Sequence, residues 1–288
     1  MTSPSAKQRP PALRKVGIVY QQRYGDAAAL GMALHERLRA DGHETWVASA
    51  ALEREIDGQL AGTDVVLVLG GDGTILAAAR VCAPLDVPLL GINFGRVGFL
   101  TELEPADVSE KLPLYLQGDY WVDERAMLYG EVTSAGTRHQ LLALNDIVLA
   151  RGAQPRVVRV AIRVDGHDYG KVVADGVIAC TATGSTAYNL AAGGPVLHPQ
   201  VRSPVITPIA PHLAASRSLV LEPRAAITLE LVEGSGGAVL SADGQINLEI
   251  SDGTAVHIAA NRNTTRFLRR RPPTYFYHVL ASKLKEGA

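Results

Sequence analysis

The sequence predicts an α/β domain built on a parallel sheet, followed by an all-β domain arranged as an antiparallel sandwich or barrel. Two observations lead to this fold class. In the first third of the chain, apolar runs typical of strands alternate with segments of helical periodicity. After Trp121, short runs of alternating apolar and polar residues follow one another, separated by Asp-Gly pairs. We place the domains at residues 12–120 and 121–269, and expect residues 270–288 to pack back onto the first.

Strands and helices alternate through the first domain. We predict strands at 15–20, 43–48, 64–69 and 88–93, and helices at 26–40 and 74–81. The run 64–69 (DVVLVL) is almost continuously apolar and rich in β-branched residues, as expected of a parallel strand buried on both faces. This alternation indicates a Rossmann-like sheet, which binds ligands at the carboxyl ends of its strands. The glycine-rich stretches 70–73 and 91–98 both fall at such carboxyl ends.

The second domain has the pattern of an antiparallel β structure. Alternating runs at 158–165, 226–232 and 254–259 predict strands, and the pairs Asp165-Gly166, Asp243-Gly244 and Asp252-Gly253 predict turns between strands. A last helix is predicted at 274–284, with Tyr277, Leu280 and Leu284 on one face. Because so short a helix is marginal alone, we expect it to return to the first domain.

Composition restricts the possible partners. The 288 residues are 47% hydrophobic and 20% charged, with a formal net charge of −1, which fits a globular protein and gives no electrostatic basis for binding nucleic acid or an anionic membrane. The basic run at Arg266 and Arg269–Arg271 is predicted to be a solvated charge cluster.

The two cysteines and the start of the chain indicate a cytoplasmic location. Cys82 and Cys180 lie far apart in apolar surroundings, so we expect both to be buried thiols in a reducing compartment. Residues 1–11 are polar and contain prolines, which predicts a disordered leader. We expect no signal peptide and no membrane span.

The pentad Gly70-Gly71-Asp72-Gly73-Thr74 is the strongest candidate for chemistry. A glycine-rich turn between a strand and a helix start presents backbone N–H groups to an anion such as a phosphate. A carboxylate beside a phosphate is electrostatically unfavourable, which suggests that Asp72 has a chemical role. An ordinary tight turn with a favourable Asp explains the pentad equally well.

Three further segments carry polar groups in unusual places. Asn145-Asp146 interrupts the apolar run 141–149, which indicates either a binding pair or a turn at a strand end. Hydroxyl residues at 181–186, followed by helix formers, indicate either a helix N-terminus open to a ligand or a plain polar loop. There, Tyr188 could stack on a base. Asp243-Gly244-Gln245 by itself predicts only a hairpin turn.

Several common sites are missing from the sequence. There is no Walker-type phosphate loop and no protein-kinase signature. The Gly-x-Ser-x-Gly nucleophile elbow is also missing, as is a Gly-x-Gly-x-x-Gly motif after the first strand. The histidines do not have zinc-ligand spacing, and His198 is predicted to be structural.

Together, the motifs resemble those of the NAD kinase family. The resemblance extends from Lys15 to Leu284. The resemblance rests on LGGDGTIL with GINFGRVGFL, on LNDIVL, and above all on DGVIACTATGSTAYNLAAGGPVLHP. It implies ATP-dependent phosphorylation of the adenosine-ribose 2′-hydroxyl of NAD to give NADP. Similar Gly-Gly-Asp-Gly motifs occur in lipid and sugar-phosphate kinases, so another kinase of that type stays open as an alternative. So does a sensor that binds NAD without catalysis.

The resemblance implies roles for individual residues. Asp72 would be the general base, with Gly73 beside the ribose and Gly70, Gly71 and Thr74 completing a turn that faces the phosphates. The dinucleotide would be bound by Asn145, Asp146, Arg156, Val173, Asp175, Thr186, Ala187, Tyr188, Asn189, Leu190, Ala191 and Gln245. The sequence departs from the family in two places: Asp146 stands where Glu is frequent, and Val173 where some members have a basic residue.

The resemblance also bears on the cofactor and the assembly. We expect Mg²⁺ to arrive with ATP and stay partly hydrated, because the sequence holds no dedicated set of metal ligands. Family members are dimers or tetramers whose dinucleotide pocket includes residues of a neighbouring subunit. We therefore expect a homodimer or homotetramer.

Overall fold

The computed structural model describes residues 12–95, 98–152, 156–212 and 217–286. The predicted leader at 1–11 lies outside them. Contacts divide the chain into two units: the first runs to Glu124 and resumes at Thr265, and the second is Arg125–Thr264. These boundaries differ by four or five residues from those expected at 120/121 and 269/270. The reason at the second boundary is that the strand Thr265–Arg269 pairs within the sheet of the first unit.

Strands and helices alternate in the first part of the chain, and strands predominate after Trp121. The strands are β1 (Lys15–Tyr20), β2 (Glu44–Ser49), β3 (Val65–Gly70), β4 (Leu89–Asn93), β5 (Trp121–Arg125), β6 (Leu128–Ser134), β7 (Thr137–Ala143), β8 (Asp146–Ala150), β9 (Val158–Val164), β10 (His167–Ala174), β11 (Gly176–Cys180), β12 (Val205–Ile209), β13 (Leu219–Val220), β14 (Ile227–Leu231), β15 (Ala238–Ala242), β16 (Ile246–Ile250), β17 (Ala255–Ala260) and β18 (Thr265–Arg269). The helices are α1 (Gly25–Ala40), α2 (Glu53–Gln59), α3 (Asp72–Cys82), α4 (Val108–Leu116), α5 (Tyr188–Ala191) and α6 (Tyr275–Glu286), with 3₁₀ turns at Ala83–Leu85, Pro105–Asp107 and Gly184–Thr186.

The first unit is an α/β structure with a six-stranded sheet in the order β2-β1-β3-β4-β18-β5. Parallel pairings join β2, β1, β3, β4 and β18, which confirms the predicted parallel sheet. Every residue of β3 is buried, as its continuous apolar run predicts. Helix α1 buries Ala27, Gly31, Leu34 and Leu38, which lie on one face at helical spacing. Helix α6 belongs to this unit, as expected of the C-terminal helix.

Buried ion pairs hold β18 in the first unit. The Arg269 guanidinium lies 3.4 Å from Glu102 and 3.6 Å from Asp123, and all three side chains are almost fully buried. Glu102 also accepts hydrogen bonds from the Arg270 and Arg271 amides and from the Tyr115 hydroxyl. The prediction of a solvated basic run is therefore wrong for Arg269, because carboxylates distant in sequence compensate the buried charge.

The second unit is a sandwich of two six-stranded antiparallel sheets. Their orders are β10-β9-β14-β17-β6-β7 and β13-β12-β11-β8-β15-β16. One hydrophobic core contains residues of both sheets, such as Val160 and Leu229 from the first and Val177 and Leu240 from the second. This arrangement confirms the predicted sandwich.

Both cysteines are free and buried, as predicted. Burial raises the pKa of each thiol to about 12. None of the helices in the described part of the chain is both long and apolar enough to span a bilayer.

Candidate active site

In the first unit, the Gly-Gly-Asp-Gly turn joins β3 directly to α3. Gly71 is the N-cap residue, and Asp72 is the first residue of the helix. The helix therefore begins two residues before the predicted start at 74, because the amides of Thr74 and Ile75 already bond to the Gly71 carbonyl. A Cβ on Gly70 would lie 2.3 Å from the Thr74 hydroxyl, so the turn requires glycine there. Thr74 itself is buried against Gly70.

The carboxylate of Asp72 is held by the loop after β4. Its Oδ2 accepts a hydrogen bond from the Phe99 amide at 3.1 Å, and its Oδ1 accepts one from the Leu100 amide at 3.2 Å. A Cβ on Gly98 would lie 2.0 Å from Asp72 Oδ1. The loop residues 98–100 thus form a close cradle, and two charge-assisted hydrogen bonds fix the orientation of the carboxylate.

In the second unit, four of the predicted binding residues line one cavity of about 580 Å³. They are Asn145, Asp146, Ala187 and Tyr188, and the Tyr188 side chain is 46% exposed. The remaining wall is formed by Val148, Ala150, Arg151, Gly152, Val239, Ser241, Asp243 and Gly244. Largely apolar walls with a few polar groups are typical of sites for small organic ligands.

The Asn145-Asp146 pair lies at the turn between β7 and β8. The Asn145 carbonyl accepts the Thr181 amide at 2.9 Å, and a Cβ on Gly184 would lie 2.1 Å from that carbonyl oxygen. Thr181 in turn donates its hydroxyl to the Leu144 carbonyl at 2.6 Å. The backbone of Asn145 is therefore tightly packed. Its side chain makes no hydrogen bond within the described residues, so the amide is available to a ligand.

Asp146 is a buried carboxyl group in the cavity wall, with 5% of its surface exposed. Burial, and second the charge of Asp243, raise its pKa from 3.8 to about 7. Asp146 therefore carries a proton through the acidic range and becomes ionised near neutral pH.

The segment after β11 differs from the predicted helix N-terminus. It forms a 3₁₀ turn and then α5, which has only four residues. Two of the hydroxyls donate to local carbonyls: Ser185 to Ala182 at 2.6 Å and Thr186 to Thr183 at 3.2 Å. Such local bonds compete with helix formation. The helical part of the segment is therefore shorter than predicted, and binding of the dinucleotide by residues 186–191 stays a prediction.

Asn189 stabilises this segment from inside. It is fully buried, donates to the carbonyls of Ser185 and Pro195 at 3.1 and 3.0 Å, and accepts the Thr207 hydroxyl at 2.7 Å. All the polar atoms of its side chain are thus used within the protein. Its neighbours Leu190 and Ala191 are half-buried and exposed, respectively, and do not line the cavity.

The other predicted binding residues lie outside this cavity. Asp175 pairs with Arg151 at 3.1 Å, and Arg151 itself lines the cavity wall. Val173 in β10 accepts the His212 amide through its carbonyl, and Gln245 is exposed in the β15–β16 turn. Arg156 lines a second cavity of about 810 Å³, next to the glycine-rich connection before β15.

Asp243 also belongs to this cavity, which the sequence did not reveal. Its carboxylate lines the 580 Å³ cavity and accepts hydrogen bonds from the amides of Leu144, Asn145 and Asp146. An Asp-Gly pair between two strands predicts a hairpin turn, and nothing in the sequence relates it to a segment about a hundred residues earlier.

Among the residues that the structure describes, no group of three or more His, Cys, Asp or Glu side chains could hold a metal ion.

The fold and these sites define a two-domain protein with the features of a nucleotide-binding kinase. Residues 16–120 match the model of the ATP-NAD kinase N-terminal domain, and residues 144–270 match that of the ATP-NAD kinase C-terminal domain. The chain belongs to the NAD kinase family. Both matches confirm the resemblance seen in the sequence, and they do not favour a lipid or sugar-phosphate kinase.

Individual relatives are similar to this protein over most of the chain. The chain is 40% identical over 275 residues to an NAD kinase of Dehalococcoides mccartyi, covering 94% of this chain and 96% of that protein. An NAD kinase from Archaeoglobus fulgidus, solved in complex with ATP, superposes with a TM-score of 0.74 and 27% identity over 93% of this chain and 97% of that one. Yeast NADH kinase, solved with NADH, shares the fold with a TM-score of 0.77 at 23% identity, over 94% of this chain and 89% of that one.

Proposed function

We propose that this protein transfers the γ-phosphoryl group of ATP to the 2′-hydroxyl of the adenosine ribose of NAD, with Asp72 as the general base. The observation that carries the proposal is the held carboxylate of Asp72. It follows the Gly70-Gly71 turn at the start of α3, and the Phe99 and Leu100 amides orient it. An NAD-binding sensor without catalysis would gain nothing from an anion placed beside phosphates.

Phosphoryl transfer does not require Asp72 to be a strong base. A carboxylate is too weak to deprotonate a free hydroxyl outright, so the proton leaves the ribose hydroxyl as the new P–O bond forms and the bond to ADP breaks. Positioning and neutralisation of charge then supply most of the rate enhancement. The glycine turn leads into the N-terminus of α3, where the helix dipole favours a negatively charged phosphate.

The second unit supplies the groups that recognise the dinucleotide. The Asn145 amide offers both a donor and an acceptor, and the exposed ring of Tyr188 offers a face for stacking on a base. Asp146 contributes a carboxyl group to the same cavity. Contacts from Arg156, Val173, Asp175 and Gln245 remain part of the proposal, and the buried side chains of Thr74 and Asn189 act by supporting the backbone.

The metal enters as part of the phosphoryl donor. Mg²⁺ binds the phosphates of ATP and supplies the charge neutralisation that phosphoryl transfer needs. We propose that Mg²⁺ would arrive with ATP and keep several of its waters.

The proposal includes a homodimer or homotetramer in the cytoplasm. Family similarity supports the oligomer, and two buried free thiols fit a reducing compartment. Light scattering on the purified protein measures the oligomer directly.

Incubation with MgATP and NAD tests the proposed activity. NADP should accumulate, and an NADP-specific dehydrogenase detects it. Parallel reactions with fructose 6-phosphate and with diacylglycerol should give no phosphorylated product. If NAD binds in calorimetry and no NADP forms, the protein is a sensor and the proposed reaction is wrong.

A further inference from the structure

Asp243 holds three consecutive amides of a distant turn. Its Oδ2 accepts the Leu144 amide at 3.0 Å, and its Oδ1 accepts those of Asn145 and Asp146 at 2.8 and 3.1 Å. Its own amide donates to the Asp146 carbonyl at 2.9 Å. Successive N–H groups that converge on one anion form a nest, so the carboxylate occupies the place of a bound anion.

The backbone of Asp243 is shaped for this contact. The residue has a φ of 52°, in the left-handed region that Asp tolerates better than most residues. It is 9% exposed, so water competes little for its oxygens. Without the carboxylate, the three amides of the β7–β8 turn would lack these partners, and buried unpaired amides are costly.

The β7–β8 turn carries Asn145 and Asp146, two polar residues of the cavity wall. Thr181 and Gly184 pack against the Asn145 carbonyl from one side, and Asp243 binds its amide from the other. The free side-chain amide of Asn145 therefore belongs to a residue whose backbone N–H and C=O are both held by hydrogen bonds. The position of that side chain depends on Asp243.

We propose that Asp243 is a positioning residue of the dinucleotide site, which fixes the Asn145-Asp146 turn through three amides and acts on Asp146 through its charge. The inference rests on the proposed function, because it assumes that the 580 Å³ cavity receives NAD. Asp243 would then govern NAD binding while its oxygens stay bound to the turn.

The charge of Asp243 has a measurable effect on the pKa of Asp146. The groups that face Asp146 are Asp243 on the β15–β16 turn, Cys180 opposite it on β11, and Arg151 and Tyr188 in the cavity wall. Burial raises the pKa of Asp146 most, and the Asp243 charge adds to it, giving about 7. Neutralising Asp243 therefore lowers the pKa of Asp146, so Asp146 ionises at a lower pH.

The substitution Asp243→Asn tests both effects. Its amide keeps one acceptor, directs an NH₂ group at the backbone amides, and removes the charge. We expect the KM for NAD to rise about 10-fold or more, with kcat changed by less than about threefold, since only binding depends on the turn. The pH profile of KM should bend near pH 7 in the wild type and at lower pH in the variant.

Asp165→Asn is the matched control. Asp165 also starts an Asp-Gly turn with a φ of 51°, donates its amide to the Ala226 carbonyl and accepts the Ala226 amide at 2.9 Å. It does not line the cavity, so the variant should match the wild type in KM and in the position of the bend.

Two results would overturn the proposal: a KM for Asp243→Asn within twofold of the wild type, or a bend that does not move. Calorimetric titration with NAD makes the same comparison without turnover, so a failure of the proposed reaction is distinguishable. If Asp243→Asn does not fold, Asp146→Asn replaces it. That variant lacks the titrating group, and a bend that persists in its binding profile would overturn the proposal.

Discussion

At the scale of single residues, close packing around Asp72 is the central feature. Its carboxylate lies against Gly98, and the next two amides of that loop bind its oxygens. Only a residue without a Cβ permits this approach. The glycine is therefore expected to matter for catalysis although it carries no functional group.

Gly98→Ala should lower kcat while the protein remains folded. The new methyl group would lie 2.0 Å from Asp72 Oδ1, so the carboxylate or the loop must shift. Misplacement of a reacting group by about 1 Å can cost roughly 100-fold in rate, and we expect a loss of about 10- to 100-fold. Gly95→Ala in the same loop is the control, because its nearest neighbour is the Tyr24 hydroxyl at 3.3 Å. Equal rates for the two variants would show that the close contact between Gly98 and Asp72 does not orient the carboxylate.

At the scale of elements, the C-terminal helix supports the loop that holds Asp72. The ring of Phe276 on α6 lies 5.8 Å from that of Phe99, and Lys283 lies 5.8 Å above the Phe99 ring. The Phe99 amide is one of the two that bind Asp72. Helix α6 therefore contributes to the geometry of the candidate base through the contacts of Phe276 and Lys283 with the Phe99 ring.

Phe276→Ala should reduce kcat by about 3- to 10-fold with little change in NAD binding, because the loop loses its aromatic support and the second unit is untouched. Leu284→Ala on the same helix is the control, since Leu284 is 53% exposed. Steady-state kinetics of both variants measures the difference. A kcat for Phe276→Ala equal to that of the control would show that α6 does not support the loop.

Elements with a clear local pattern could be predicted from the sequence. The strand at 15–20 coincides with β1, and the buried run before the pentad is β3 displaced by one residue. Helices α2 and α4 and most strands of the sandwich were not predicted. In segment 181–189 the sequence predicts a helix start, but the hydroxyls bond to local carbonyls and Asn189 is buried. The roles of Asp243 and Arg269 depend on partners distant in sequence, which no local pattern contains.

At the scale of the whole molecule, the chain consists of two units with separate cores. In the first, the buried group of Glu102, Asp123 and Arg269 connects β18 and β5 to the rest of the sheet. Removing one member leaves a buried charge with less compensation, which is strongly destabilising. The stability of the first unit should therefore depend on this group, while the second unit should not.

Glu102→Gln should destabilise the first unit by about 3 kcal/mol. The transition of that unit in calorimetry should move to lower temperature, and the transition of the sandwich should stay in place. Glu131→Gln removes one partner of the exposed pair with Arg138 and serves as the control, because surface pairs contribute little. A Glu102→Gln protein as stable as this control would contradict the structural role of the buried group.

We propose that Asp72 accepts the proton from the NAD ribose, and the kinetics of Asp72→Asn test this role. The amide keeps the shape of the side chain and cannot act as a base. We predict a fall in kcat for NADP formation of about 100-fold or more, with a dissociation constant for NAD within about threefold of the wild type. Asp26→Asn, at an exposed acidic residue in the first turn of α1, should behave as the wild type. A rate for Asp72→Asn near that of the wild type would show that Asp72 is not the general base.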